Sequence, residues 1–176
     1  MYSIRNKTVL FSFLLLVVFL FAQSCRKDNF FTSADAELGF SEDTVHFDTV
    51  FTTVGSVTLP LKLYNNYNDN LLISNIQLAG GEASQFRMNV DGESGTVFTD
   101  IEIPPHDSLY VFIEVTVDPN NDALPYVIED SISFTTNGNL QDVKLIAYGQ
   151  NAHFHYGQIL CDTTWNDDLP HVIIGS

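Results

Sequence analysis

Cationic side chains are scarce in this chain, with seven Lys and Arg against 22 Asp and Glu. Nucleic-acid binding needs clustered cations that displace counterions from phosphates, so this balance excludes such a partner. It makes anionic lipid headgroups an equally poor target. Cysteine is scarcer still: only Cys25 and Cys161 occur. Two cysteines exclude a disulfide framework and leave stability to a hydrophobic core. No apolar run reaches the roughly 20 residues that a membrane-spanning helix requires. A GxSxG elbow, a Walker loop and HExxH are all absent, which removes the chemistries those spacings carry. No helical repeat of useful length follows the first 24 residues.

The apolar run that does exist lies at the N terminus. Val9–Ala22 reads VLFSFLLLVVFLFA, broken only by Ser12, with Arg5 and Lys7 before it and Gln23, Ser24 and Cys25 after it. A basic start, a short apolar stretch and small residues at the cut define a secretory signal peptide over residues 1–24. AQSC resembles the lipobox of bacterial lipoproteins, with Ala22 in the place usually held by Leu, a bulky Gln23 and an acceptable Ser24. That resemblance makes Cys25 the lipidation site and the membrane a partner through several acyl chains, enough for stable anchoring. A plain secretory cut after Ser24 fits the same residues, since Ala22-Gln23-Ser24 is small-x-small. Arg26, Lys27 and Asp28 resemble the short charged signal that sends some Gram-negative lipoproteins outward. The expected address is the cell envelope, lipid-anchored, at the outer membrane.

Cleavage removes Arg5 and Lys7 and no acid, leaving five cations against 22 carboxylates, a formal charge of −17. Such a surface could attract divalent cations, but a diffuse acidic surface is ordinarily a solvated one. Residues 25–37 are polar and without periodicity, and are expected as a lipid-anchored flexible tether. Residues 38–152 carry the pattern of strands. Leu109, Val111, Ile113, Val115 and Val117 alternate with polar and aromatic positions, as Val57, Leu59, Leu61 and Leu63 do. Weaker stripes run through Val97, Thr99, Ile101 and Ile103, through Ile128, Asp130, Ile132 and Phe134, and through Val45, Phe47, Thr49 and Phe51. Further strands are expected at 71–78, 86–90 and 143–147. Asn137-Gly138 between two alternating segments signals a tight hairpin. Pro60 inside a good strand points to an edge or a bulge. Short strands at this spacing predict an all-β sandwich of about 7–9 strands.

FSEDTVHFDTVFTTVGS, LKLYNN, LLISNIQLAGG, DSLYVFIEVTVDP and ISFTTNGNLQDVKLIAYGQ make residues 40–152 similar to an Ig-like domain of bacterial lipoproteins, of the abnormal-spindle and hydin type. The resemblance implies an Ig-like sandwich. It also implies that residues 153–176, with Trp165, Asp168, Pro170 and HVIIGS, are the possible start of a right-handed parallel β-helix domain.

Candidate chemistry is thin. His153 and His155 form an HxH pair that a strand would aim at one face, with Cys161 or Asp162 near enough in sequence to add a metal ligand. Solvent-facing histidines in a junction are the simpler reading, and no metal site is expected. DPNND (118–122) and NYNDN (66–70) offer oxygens suited to calcium but lack EF-hand spacing and match ordinary turns. Glu82, Glu93, Glu102 and Glu114 occupy loops or solvent faces, so a carboxylate pair for glycoside cleavage is not expected. Tyr64, Tyr67, Tyr110 and Phe112 fall opposite their strands' aliphatic stripes. Such rings stack on sugars, form protein interfaces or fill the second half of a core, and core is the reading for Phe112. The function expected is a non-catalytic, cofactor-free module of an anchored envelope lipoprotein, acting as spacer or as a protein or glycan interaction domain. The alternative is an accessory domain of a carbohydrate-active or adhesive β-helix protein whose active part lies beyond residue 176.

Overall fold

A computed structural model describes residues 29–119, 126–159 and 161–175. The expected leader, Cys25 and residues 120–122 of the DPNND loop lie outside the described residues. The strands are β1 (Gly39–Phe40), β2 (Thr44–Phe51), β3 (Leu59–Tyr64), β4 (Leu71–Leu78), β5 (Phe86–Val90), β6 (Glu93–Gly95), β7 (Val97–Ile103), β8 (Ser108–Val115), β9 (Tyr126–Thr136), β10 (Asn139–Gln150), β11 (His153–Tyr156) and β12 (His171–Ile174). One sheet runs β1-β3-β8-β5-β6 and the other β2-β10-β9-β4-β7. They face each other as an Ig-like β-sandwich. β11 and β12 form a separate parallel pair. No α-helix occurs among the described residues; one 3-10 turn spans Gly81–Ala83.

Ten strand segments build the sandwich because two stretches change sheet. Residues 39–51 pair antiparallel with β3 as β1 and then parallel with β10 as β2. Residues 93–103 likewise serve β5 as β6 and β4 as β7. Each edge of the sandwich is thus finished by a strand shared between layers, which shortens the unpaired backbone it would otherwise present. Pro60 sits where β3 has β8 on one side, while β1 reaches only Leu63 and Tyr64 on the other. An edge is where a residue without an N–H is tolerated.

The core follows the predicted alternation most faithfully on β8, where Val111, Ile113 and Val115 are fully buried, as is Val117 just beyond. Phe47, Phe86 and Phe134 are the largest side chains enclosed between the layers. Asn137 (φ 49°) and Gly138 (φ 87°) turn β9 into β10 with Thr136 paired to Asn139, the two-residue hairpin that their tolerance of positive φ predicts. At Gly149 a Cβ would stand 2.7 Å from the Tyr126 ring and 2.8 Å from Val117, so only glycine fits.

Two stripes change phase midway. Val97 and Thr99 are exposed, not inward, whereas Phe98, Ile101 and Ile103 pack on the core. The switch falls at Asp100, which takes a φ of 57°. On the paired strand β4, the register against β9 slips between Ile73 and Asn75, so both strands flip at one rung. On β2, Val50 is buried in place of Thr49 because the register against β10 shifts opposite Ala147.

The segment expected as a tether is, from Asn29 onward, bound to the sandwich. Phe30 bridges Asn70, and the Phe31 ring stacks on Tyr67 at 3.9 Å between centroids. Asn137 Nδ2 donates to the carbonyls of Phe31 and Ser33, and Asn139 Nδ2 to those of Ala34 and Ala36. Gln141 accepts from the Leu38 N–H at 2.8 Å and donates to its carbonyl at 3.1 Å. Asn139 and Gln141 share the inward face of β10 with buried Val143 and Leu145. They stand at the open end of the sandwich, and residues 29–38, a strap across that end, satisfy them while Ala36 and Leu38 seal the core.

Candidate functional site

With Val111, Ile113 and Val115 facing in, Tyr110, Phe112 and Glu114 of β8 must face out. Tyr110 and Phe112 are each 45% exposed, with rings 6.0 Å apart and 16° from parallel. This corrects the core reading of Phe112: nothing among the described residues packs on the outer face of its sheet, so β8 is buried on one side only. Register then decides the neighbours. Lys62 stands across from Tyr110, Asn89 across from Phe112, and Arg87 across from Glu114. The Lys62 Nζ lies 5.0 Å from the centre of the Tyr64 ring and 5.3 Å from that of Tyr110.

Beside Phe112 the sheet forms a cavity of about 540 Å³, within the usual size of small-ligand pockets. Phe112, Glu114, Arg87, Asn89, Ser94 and Gly95 line it from the sheet, and Thr58, Glu82 and Thr96 from the flanking loops. Arg87 Nη1 donates to the carbonyls of Ser84 and Phe86, at 2.7 Å for the latter. Glu82 accepts from the Thr96 hydroxyl at 2.8 Å. Of the four glutamates weighed for glycoside cleavage, Glu82 and Glu114 meet at this cavity; Glu93 and Glu102 do not line it. Tyr67, in the 66–70 loop, is half-buried under Phe31 and packs against the strap. Alternation along β5 could have placed Arg87 and Asn89 outward, but only the strand register brings them to Phe112.

The second cluster lies on β11 and β12. His153 and His155 do share a face, yet their partners are neither Cys161 nor Asp162. His153 Nε2 meets Asp168 Oδ1 at 3.0 Å. His171 Nε2 donates to the Asn166 carbonyl at 2.8 Å, which leaves its Nδ1 to accept from His155 Nε2 at 2.8 Å. Trp165 stacks on both His155 and His171. The His153 hydrogen bond holds the Asp168 carboxyl below its ordinary range. Cys161 is exposed with a free thiol. Among the described residues no group of three or more His, Cys, Asp or Glu is arranged to hold a metal ion. In the 66–70 loop, Asn68 bonds His106 at 2.8 Å, and neighbouring Asn65 donates to the carbonyls of Asp69, Ile103 and Pro104. That is turn chemistry.

No family model and no curated protein matches the chain. Solved structures resemble it in fold alone. A family 123 glycoside hydrolase from Clostridium perfringens is 9% identical with a TM-score of 0.46, over 68% of this chain and 30% of the hydrolase. The periplasmic chaperone SfaE is 11% identical with a TM-score of 0.43, over 65% of this chain and 58% of the chaperone. The CooA pilin subunit from enterotoxigenic Escherichia coli is 10% identical with a TM-score of 0.41, over 65% of this chain and 97% of the pilin. The chain therefore spans less than a third of the hydrolase.

Proposed function

We propose that this chain is a non-catalytic Ig-like module of a bacterial envelope lipoprotein, anchored through Cys25 in the outer membrane, which presents the outer face of its β1-β3-β8-β5-β6 sheet to a protein or glycan. The abnormal-spindle and hydin type of Ig-like domain is the family that residues 40–152 resemble. One observation carries the interaction role: half-exposed Tyr110 and Phe112 stand beside a 540 Å³ cavity on a sheet face that no described element covers. The anchor rests on the leader and AQSC.

Both parts are testable in cells. Cys25→Ala moves the protein from the membrane to the soluble fraction; unchanged detergent partitioning removes the anchor. A photo-crosslinking amino acid at Phe112 yields adducts, whereas the same probe at exposed Val127 on the other sheet does not. Equal yields from the two positions remove the interaction face.

A second reading is an accessory domain of a carbohydrate-active or adhesive β-helix protein. The parallel register of β11 and β12, His153 against His171, favours it, since one strand returns beside the other after a crossover of solenoid length. Further strand repeats beyond residue 176 in the native reading frame would support this reading, and a stop codon there would remove it.

A further inference from the structure

We infer that the Phe112 cavity binds an uncharged glycan, an inference that rests on the proposed role of this face and names its ligand class. The first ground is charge. The molecule is strongly acidic; the cavity lining sets one cation, Arg87, against two carboxylates, Glu82 and Glu114, and Lys62 stands on the same face over Tyr64 and Tyr110. Two of the three Lys and Arg side chains among the described residues stand here. Both cations are engaged within the fold, Lys62 over two tyrosine rings and Arg87 Nη1 on two backbone carbonyls. Neither is poised as an anion receptor, and the carboxylates beside them oppose anions. A cationic ligand gains nothing here that the rest of the acidic surface does not offer.

The second ground is the lining. Asn89, Thr58, Ser94 and Thr96 bring amide and hydroxyl groups beside a half-exposed aromatic ring. Asn89 Nδ2 donates to Ser94 Oγ at 3.2 Å and Thr96 to Glu82, which leaves the second Nδ2 hydrogen and the Ser94 hydroxyl proton for a ligand. An apolar side chain from a protein partner, seated there, would strip water from those groups and return no hydrogen bonds. A sugar ring supplies both halves. Its C–H face lies against Phe112, and its hydroxyls exchange hydrogen bonds with the amide, hydroxyl and carboxylate groups. Tyr110 extends the aromatic surface along β8 toward Lys62 and Tyr64, so the track continues past the cavity. A chain of sugars fits that shape better than a single one.

The test uses the full mature chain in detergent and a panel of neutral hexasaccharides: cello-, malto-, xylo-, manno- and laminarihexaose. Alginate and heparin hexamers serve as charged controls. We expect at least one neutral hexasaccharide to bind with a Kd of about 1 mM or tighter by calorimetry. Phe112→Ala weakens it tenfold or more at an unchanged thermal midpoint, and Phe112→Trp retains it. Tyr148→Ala, an exposed ring on the other sheet, has no effect. The inference is overturned by no neutral binding, by binding indifferent to Phe112→Ala, or by binding of the charged hexamers alone. Protein adducts at Phe112 together with an empty glycan panel would keep the interaction face and discard its glycan ligand.

Discussion

Asp100 holds a left-handed backbone (φ 57°) inside a strand, a conformation costly for most L-residues but tolerated by Asp. It is kept because the rung it shares with Ser74 is where β4 and β7 both change phase, so that Ile73 and Ile76 on β4, and Phe98 and Ile101 on β7, can all face the core. Ser74 Oγ donates to the Thr135 carbonyl at 3.0 Å across the irregularity. Asp100→Val therefore costs about 1–2 kcal/mol, because a β-branched side chain meets the left-handed penalty that Asp largely avoids. Asp100→Gly is neutral or slightly stabilising. Thermal melts separate the two, and equal midpoints would show that the local backbone relaxes without cost.

The strap and the hairpin are one structural element, although more than a hundred residues of sequence separate them. Asn139→Ala deletes two hydrogen bonds to the strap and leaves the Ala34 and Ala36 carbonyls to find water. The expected loss is about 1–2 kcal/mol. Hydrogen exchange shows where it falls: the Glu37 and Leu38 amides, held by Tyr67 and Gln141, lose protection while those of β8 do not. Uniform loss across the sandwich would mean that strap and core unfold together. The contrast also marks what the sequence reveals. Alternation exposes a strand such as β8, and Asn-Gly exposes its hairpin, because both signals are local. A polar stretch such as 29–37 looks unstructured because what fixes it is three amide side chains on a distant hairpin. Phase changes at Asp100 and on β2 escape period-two reading, since a bulge moves every later residue to the other face. The outward face of Phe112 follows only from the two-layer arrangement, in which no described element covers that sheet from outside.

For the molecule as a whole, the docked strap turns the proposed anchor into an orientation. Four residue steps separate Cys25 from Asn29, a contour of at most about 14 Å. Asn29 and Phe30 lie at the end that holds the Asn137-Gly138 tip. That end must then stay close to the bilayer, while the opposite end, where β9 begins, can stand away by at most roughly the 11 residues of that strand at about 3.3 Å each. The exposed side chains Leu140 and Val127 mark the two ends. In a Cys161→Ser background, a fluorophore at Leu140→Cys is quenched by brominated lipid far more than one at Val127→Cys. Inserting ten Gly-Ser residues after Lys27 abolishes the difference, because the linker then permits either end to approach. Equal quenching without the insertion, in protein shown to be lipidated, would leave the anchor intact and discard the fixed orientation. Unequal quenching places β11, β12 and their histidine cluster, which follow Gln150 at the far end of β10, on the side away from the membrane.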